Sequence, residues 1–279
     1  MTFTFYNDIG KFSLFGSGTD GFRVCAVSGL EPVELTRSIR SYIGEDGCIE
    51  DSAQYGQRII TISGDLKINE NSKSEIRNVV RVLSRKCNLI IEDKDKIRSI
   101  QVNAATFTPG KKYTKYMTFV IQAICDYPHF SDMNESYGVL FKKENLLSST
   151  RTLPTVLSKR ISNCVINNAG DLRVYPVITI IKNDNVVREN QILIENRTTG
   201  KKITINKSMV YGEAVVVDIK NRKITSNIEG NVLGTLDVHC SLSEFMCELG
   251  DNEISASVGG EQSGLQIVIS FCNEYLEAI

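Results

Sequence analysis

The chain is expected to fold as a mainly β protein of two domains: an N-terminal β-sandwich-like domain with one helix, and a C-terminal antiparallel β-sandwich. Three observations predict this. Short runs rich in Val, Ile, Thr, Phe and Tyr alternate with turns bearing Asn, Gly and Asp through most of the sequence, the pattern of half-buried strands. Only the stretch 72–87 carries a convincing helical period. The 279 residues also exceed what one core usually organises, and a break falls at Pro128. Phe119, Ile121 and Ala123 alternate with Val120, Gln122 and Ile124 before it, and proline, lacking an amide hydrogen, stops the ladder there. The expected division is an N-terminal domain over 1–131, a linker or arm over 132–149 and a C-terminal domain over 150–279.

Bulk properties exclude several functions. Hydrophobic residues make up 42% and charged residues 23%, ordinary globular usage. A formal net charge of -1 and a pI near 6.2 give no electrostatic reason to hold nucleic acid or an anionic membrane. The start has no secretory pattern and no apolar run approaches the ~18 residues of a membrane span, so synthesis in a cytosol is expected. The eight cysteines are scattered without Cys-x-x-Cys pairs, unlike a disulfide framework or a zinc ribbon, and most of them read as small buried apolar residues.

Taken in order, Gly16, Gly18 and Gly21 match a dinucleotide-binding glycine pattern, but Phe22 to Val27 continues as a strand where that motif needs a helix. The acidic stretch 44–51 lacks the spacing of a calcium loop and reads as a solvated connection. Arg58 to Leu66 is a strand running into a turn. In 72–87, Ile76, Val79, Val80, Leu83 and Cys87 form an apolar stripe, with Ser72 and Glu75 at capping-box spacing. Lys73, Arg77, Arg81 and Arg85 recur every four residues opposite it. That basic stripe is either a solvated face or a contact for an acidic neighbour. Strands over 88–92 and 97–107 follow, then a turn over 108–112. Residues 138–162 look irregular. Beyond them, strands are expected at 177–181, 192–195, 202–205, 214–218, 223–225 and 265–271, with a hairpin turn at Asn221-Arg222.

Chemistry is sparse. The two histidines, His129 and His239, have no partners at zinc-site spacing, Cys240 and Cys247 included. Glu244 and Glu248 lie four apart, but Phe245 and Leu249 form a better pair for anchoring a helical turn, which leaves both glutamates in water. No catalytic, cofactor or metal residue is assigned. A sandwich also invites a carbohydrate-binding reading; with no tryptophan in the chain, Tyr175 and Tyr211 are the available platforms.

A series of local signatures is more specific than any of these. Asn168-Ala169-Gly170 precedes Tyr175-Pro176-Val177-Ile178. Asn196-Arg197-Thr198-Thr199-Gly200 comes next, then Gly212-Glu213 ahead of Asp218, Gly230-Asn231, Phe245, Leu249-Gly250 and Asn252-Glu253-Ile254. Gly29-Leu30, Asp46-Gly47, Arg58-Ile59-Ile60 and Cys125-Asp126-Tyr127-Pro128-His129-Phe130 extend the pattern into the first half. In this order the chain resembles the phage distal tail proteins. The resemblance implies an N-terminal β domain forming a homo-hexameric ring and a galectin-like C-terminal sandwich projecting outward. It also implies a non-catalytic, cofactor-free hub in the virion tail tip, joining the tail tube to baseplate or host-binding proteins after synthesis in a bacterial cytoplasm. A ring needs two different patches of one subunit to meet on neighbours. Lys73, Arg77, Arg81 and Arg85 are the candidate basic patch, and Glu45, Asp46, Glu50 and Asp51 the candidate acidic one.

Overall fold

The structure, a computed structural model, describes residues 1–16, 21–41, 44, 46–141, 143–145, 158–160, 162–185, 190–259 and 264–278. The chain is mainly β and separates into two compact units, one of residues 1–133 and 275–279, the other of residues 134–274. The first unit is therefore discontinuous in sequence.

Its strands are β1 (Thr2–Tyr6), β2 (Lys11–Phe15), β3 (Phe22–Ser28), β4 (Leu35–Arg40), β5 (Ile49–Tyr55), β6 (Arg58–Lys67), β7 (Cys87–Asp93), β8 (Lys96–Val102), β9 (Ala104–Lys112), β10 (Tyr116–Cys125) and β11 (Phe130–Asp132). A helix, α1 (Ser72–Leu83), separates β6 from β7. One sheet runs in the order β24-β11-β8-β7-β1-β2-β3-β6-β10-β9, where β24 is Glu274–Tyr275 at the far end of the chain. Although β8 and β10 are far apart in that order they touch, so the sheet folds back around its core. Strict alternation builds that core. β6 buries Arg58, Ile60, Ile62, Gly64 and Leu66 in turn, and Phe3, Phe5, Leu14, Leu89, Phe119 and Ile121 meet them. Each of the large apolar side chains among them contributes roughly 1.5–3 kcal/mol by leaving water.

Several expectations change here. The helix ends at Leu83 because Cys87 is needed by the sheet, where it opens β7 and pairs with Val102, so Arg85 and Cys87 are not helical. Its buried face is Ser72, Val79, Val82 and Leu83, whereas Val80 is 49% exposed. No capping box forms: Asn71 is the N-cap, and the Ser72 hydroxyl instead donates to the Lys67 carbonyl (3.1 Å) and accepts from the Asn69 amide (2.7 Å). The strand expected over 97–107 is two strands, and β9 continues through Pro109 to Lys112, moving the turn to 113–115. Pro109 is tolerated there because β9 is the outermost strand and has a free side.

The second unit contains β12 (Ser136–Leu140), β13 (Lys143–Asn145), β14 (Ser158–Arg160), β15 (Asn163–Asn168), β16 (Val177–Lys182), β17 (Gln191–Asn196), β18 (Lys201–Ile205), β19 (Ala214–Asp218), β20 (Lys223–Ser226), β21 (Gly230–Asn231), β22 (Gly250–Gly259) and β23 (Leu265–Phe271). One sheet is ordered β12-β23-β16-β19-β20-β21 and a second β15-β22-β17-β18, all antiparallel. Ile178, Ile180, Val215, Val217, Ile267 and Ile269 of the first sheet share one core with Ile192, Ile194, Ile203 and Ile254 of the second. This is sheet-on-sheet packing. Part of the span expected to be a linker, 132–149, is instead structural: β12 pairs with β23 along its whole length.

Candidate subunit interface

Lys73, Arg77 and Arg81 project from α1 and are exposed, and Arg85 is exposed just beyond its end. The helix turns its apolar residues onto the sheet, lying against β9, β2 and β1, which leaves the basic residues outward. Arg81 donates to the Asn78 side chain at 3.0 Å, and Arg85 lies 3.6 Å from Asp8, an exposed pair worth little. Ser74, Glu75, Arg77, Asn78 and Arg81 line a shallow polar groove of about 420 Å³.

The acidic candidates sit elsewhere. Glu45 lies outside the described residues, Asp46 is exposed beside β5, and Glu50 and Asp51 belong to β5. Among the described residues β5 and β4 pair only with each other, as a two-stranded ribbon separate from the main sheet. Glu50 and Asp51 are already matched within it: Arg40 grips Asp51 through two hydrogen bonds of 2.6 and 3.2 Å, and Arg37 approaches Glu50 at 3.5 Å. Every residue of β4, and β5 up to Gln54, is exposed, including Leu35 at 42%, Ile39 at 59% and Ile49 at 51%. The structure thus puts the two charge sets on different elements without joining them. Sequence reasoning missed the ribbon's apolar residues, whose signal was isolated: Ile39 before and Ile49 after an acidic, glycine-bearing turn.

In the second unit the motif residues prove to be scaffold. Asn196 is fully buried; its side chain donates to the Met246 carbonyl (2.9 Å) and to Asn252 (3.2 Å), and accepts from the Thr198 amide (3.1 Å). Asn252, also fully buried, binds the backbone of Glu248 in both directions at 2.8 Å. Glu213 is 1% exposed, accepts from Ser226 at 2.6 Å and lies 3.2 Å from Lys207, which reaches Glu229 at 2.7 Å. Burial alone would raise the Glu213 pKa, but the hydrogen bonds from Ser226, the Val210 amide and Lys207 outweigh it and hold the carboxylate below its ordinary range.

The residues screened for chemistry scatter. His129 meets Tyr55 and Tyr127 edge to face, each at 5.1 Å, and His239 is exposed. Leu242–Glu244 is a single 3-10 turn, so Phe245 and Leu249 do not pair: Phe245 is fully buried and Leu249 is 54% exposed. Glu244 binds Lys201 at 2.6 Å and Glu248 binds Arg173 at 2.8 Å. Cys25 and Cys48 are exposed, the first at the irregularity in the β3–β6 register between Val24 and Ala26 and the second just ahead of β5. Tyr175 and Tyr211 are also exposed.

Comparison with known proteins finds a sequence likeness in the second unit. Residues 169–275 match the family described as siphovirus-type tail component, C-terminal domain. Over nearly the whole chain the fold is similar to the crystal structure of Dit from phage SPP1, described as a paradigm of the hub adsorption apparatus in phages infecting Gram-positive bacteria. The TM-score is 0.69 at 12% identity, covering 97% of this chain and 98% of that one. A chain of the phage P2 baseplate in its activated conformation with Ca also matches, with TM-score 0.50, 12% identity, and coverage of 96% and 97%. The corresponding structure with Sr gives TM-score 0.50, 12% identity, and 97% coverage of each chain. No curated protein matches the sequence. The resemblance to phage distal tail proteins therefore holds in sequence over 169–275 and in fold along the chain.

Proposed function

We propose that the protein is a structural, non-catalytic component of a phage tail tip. It forms a homo-hexameric ring through its first unit and serves as the hub between the tail tube and the baseplate or host-binding proteins. The observation that carries this reading is the likeness to SPP1 Dit across 97% of the chain, joined to the tail-component match over 169–275. Near-neutral charge suits a ring that lets DNA pass without retaining it. In the ring, the basic face of α1 is one side of the subunit contact and the ribbon β4–β5 the other. A two-stranded ribbon with every side chain but Tyr55 exposed is marginal alone, and a neighbouring copy covering Leu35, Ile39 and Ile49 supplies the missing burial. Asp46, exposed ahead of β5 and outside the β4–β5 register, is the acidic residue placed to meet the α1 cations. Light scattering after size exclusion, with negative-stain imaging, tests this. Six-fold rings are expected, and a protein that stays monomeric at micromolar concentration refutes the ring.

A further inference from the structure

We propose that seating residues 275–278 on Arg58 is the closing step in folding the first unit, so that an assembly-competent unit exists only after the whole second unit has been synthesised. Arg58 carries this. It is 1% exposed, and its described hydrogen bonds all go to backbone carbonyls: Nε to Pro128 (2.5 Å), Nη1 to Gly29 (2.7 Å) and Glu31 (2.6 Å), and Nη2 to Leu276 (2.7 Å). Phe130 lies against the guanidinium at 4.4 Å. A planar fork of five donors suits such a convergence of carbonyls, and lysine cannot reproduce it. One carbonyl belongs to a segment that follows the entire second unit. Further contacts within the first unit hold the same segment. Tyr275 donates to Asp132 at 2.9 Å, Arg98 pairs with Asp132 and covers the Tyr275 ring at 3.5 Å, and Ala278, 2% exposed, donates its amide to Leu30 at 3.1 Å. Gly29 is committed to this place as well: its φ is 87°, and a Cβ would sit 2.0 Å from the Ile59 carbonyl.

Until the segment arrives, the buried cation lacks one of its acceptors and the sheet lacks its terminal strand β24. N-terminal domains usually fold first during synthesis; here, at roughly 5–20 residues per second, completion waits on the order of ten seconds for the second unit. Incomplete chains are thereby kept out of the assembly. The assembly half of this proposal rests on the ring reading above; the folding half does not.

Hydrogen exchange read by mass spectrometry on full-length protein tests the folding half, comparing wild type, Arg58→Lys, Ala278→Asp and a chain ending at Glu274. Exchange in β6, β11 and 29–31 is expected to rise about tenfold or more in all three variants, with β16 and β23 unchanged. Should the shortened chain fail to fold, the two full-length substitutions decide. Exchange in the first unit within about twofold of wild type overturns the proposal, and so does equal loosening of both units, which would mean one undivided cooperative fold. Size exclusion of the same variants tests assembly. Loosened variants that still elute with the wild-type oligomer overturn the assembly half alone, whereas a monomeric wild type refutes the ring and leaves exchange to judge the folding half.

Discussion

Glu213 shows how a residue picked out by a family signature proves to be framework. Its carboxylate is stabilised by Ser226, the Val210 amide and Lys207 in a setting with almost no water. A depressed folded-state pKa contributes stability that is present above the unfolded value and is lost as pH falls through the folded one. The second unit is therefore expected to weaken progressively from about pH 5 downward. Glu213→Gln should cost about 2–3 kcal/mol at pH 7 and flatten that acid slope, measured by urea unfolding across pH. Burial acts in the opposite direction on thiols: it pushes Cys125 and Cys247 up to about 12, and Cys87 and Cys164 up to about 11. Native protein treated with iodoacetamide at pH 8 should label at Cys25 and Cys48 well before those four, as peptide mapping would show. The motif residues were legible in the sequence because Asn196 and Asn252 answer to local turns. Their mutual hydrogen bond, which explains why both are asparagine, joins positions that no spacing rule relates.

At the scale of elements, the helix was legible from its period and its exact ends were not. Ser72 has the identity of a cap, but the Lys67 carbonyl claims its hydroxyl. The same limit applies to β9, where Pro109 read as a stop and is accommodated by an outer edge. Strand β12 was missed because five residues next to an irregular stretch carry little pattern, and its place is set by its partner β23. For the subunit contact, changing Arg77, Arg81 and Arg85 together to Glu is expected to leave a folded chain that no longer elutes as the wild-type oligomer at low salt. Each exposed pair contributes only about 0.2–1 kcal/mol, so a single reversal should do little, while three repeat at every boundary of a ring. An oligomer unchanged at both low and high salt would show the face to be merely solvated.

Across the whole molecule, the mainly β class was legible, because strand alternation acts locally, whereas β11 follows Pro128 within the first unit, whose first segment ends at Met133. The return of the last residues to the first unit was not legible, since nothing in Leu276 or Ala278 announces a partner more than two hundred positions away. The division can be tested with fragments of the second unit. One spanning 134–274 should unfold cooperatively, whereas one beginning at 150 lacks β12 and exposes the side of β23 that it covers, and should be less stable or aggregate. Thermal melts followed by circular dichroism would separate the two outcomes.

Strands β11 and β24 are neighbours in the sheet, so the chain leaves the first unit and re-enters it about one strand spacing apart, ~4.8 Å. To the first unit, everything between them is a loop whose ends already meet, and its length and content scarcely enter the closure entropy. The second unit is in this sense a cassette. Any domain with adjacent ends fits between Asp132 and Tyr275 without redesign of the first unit.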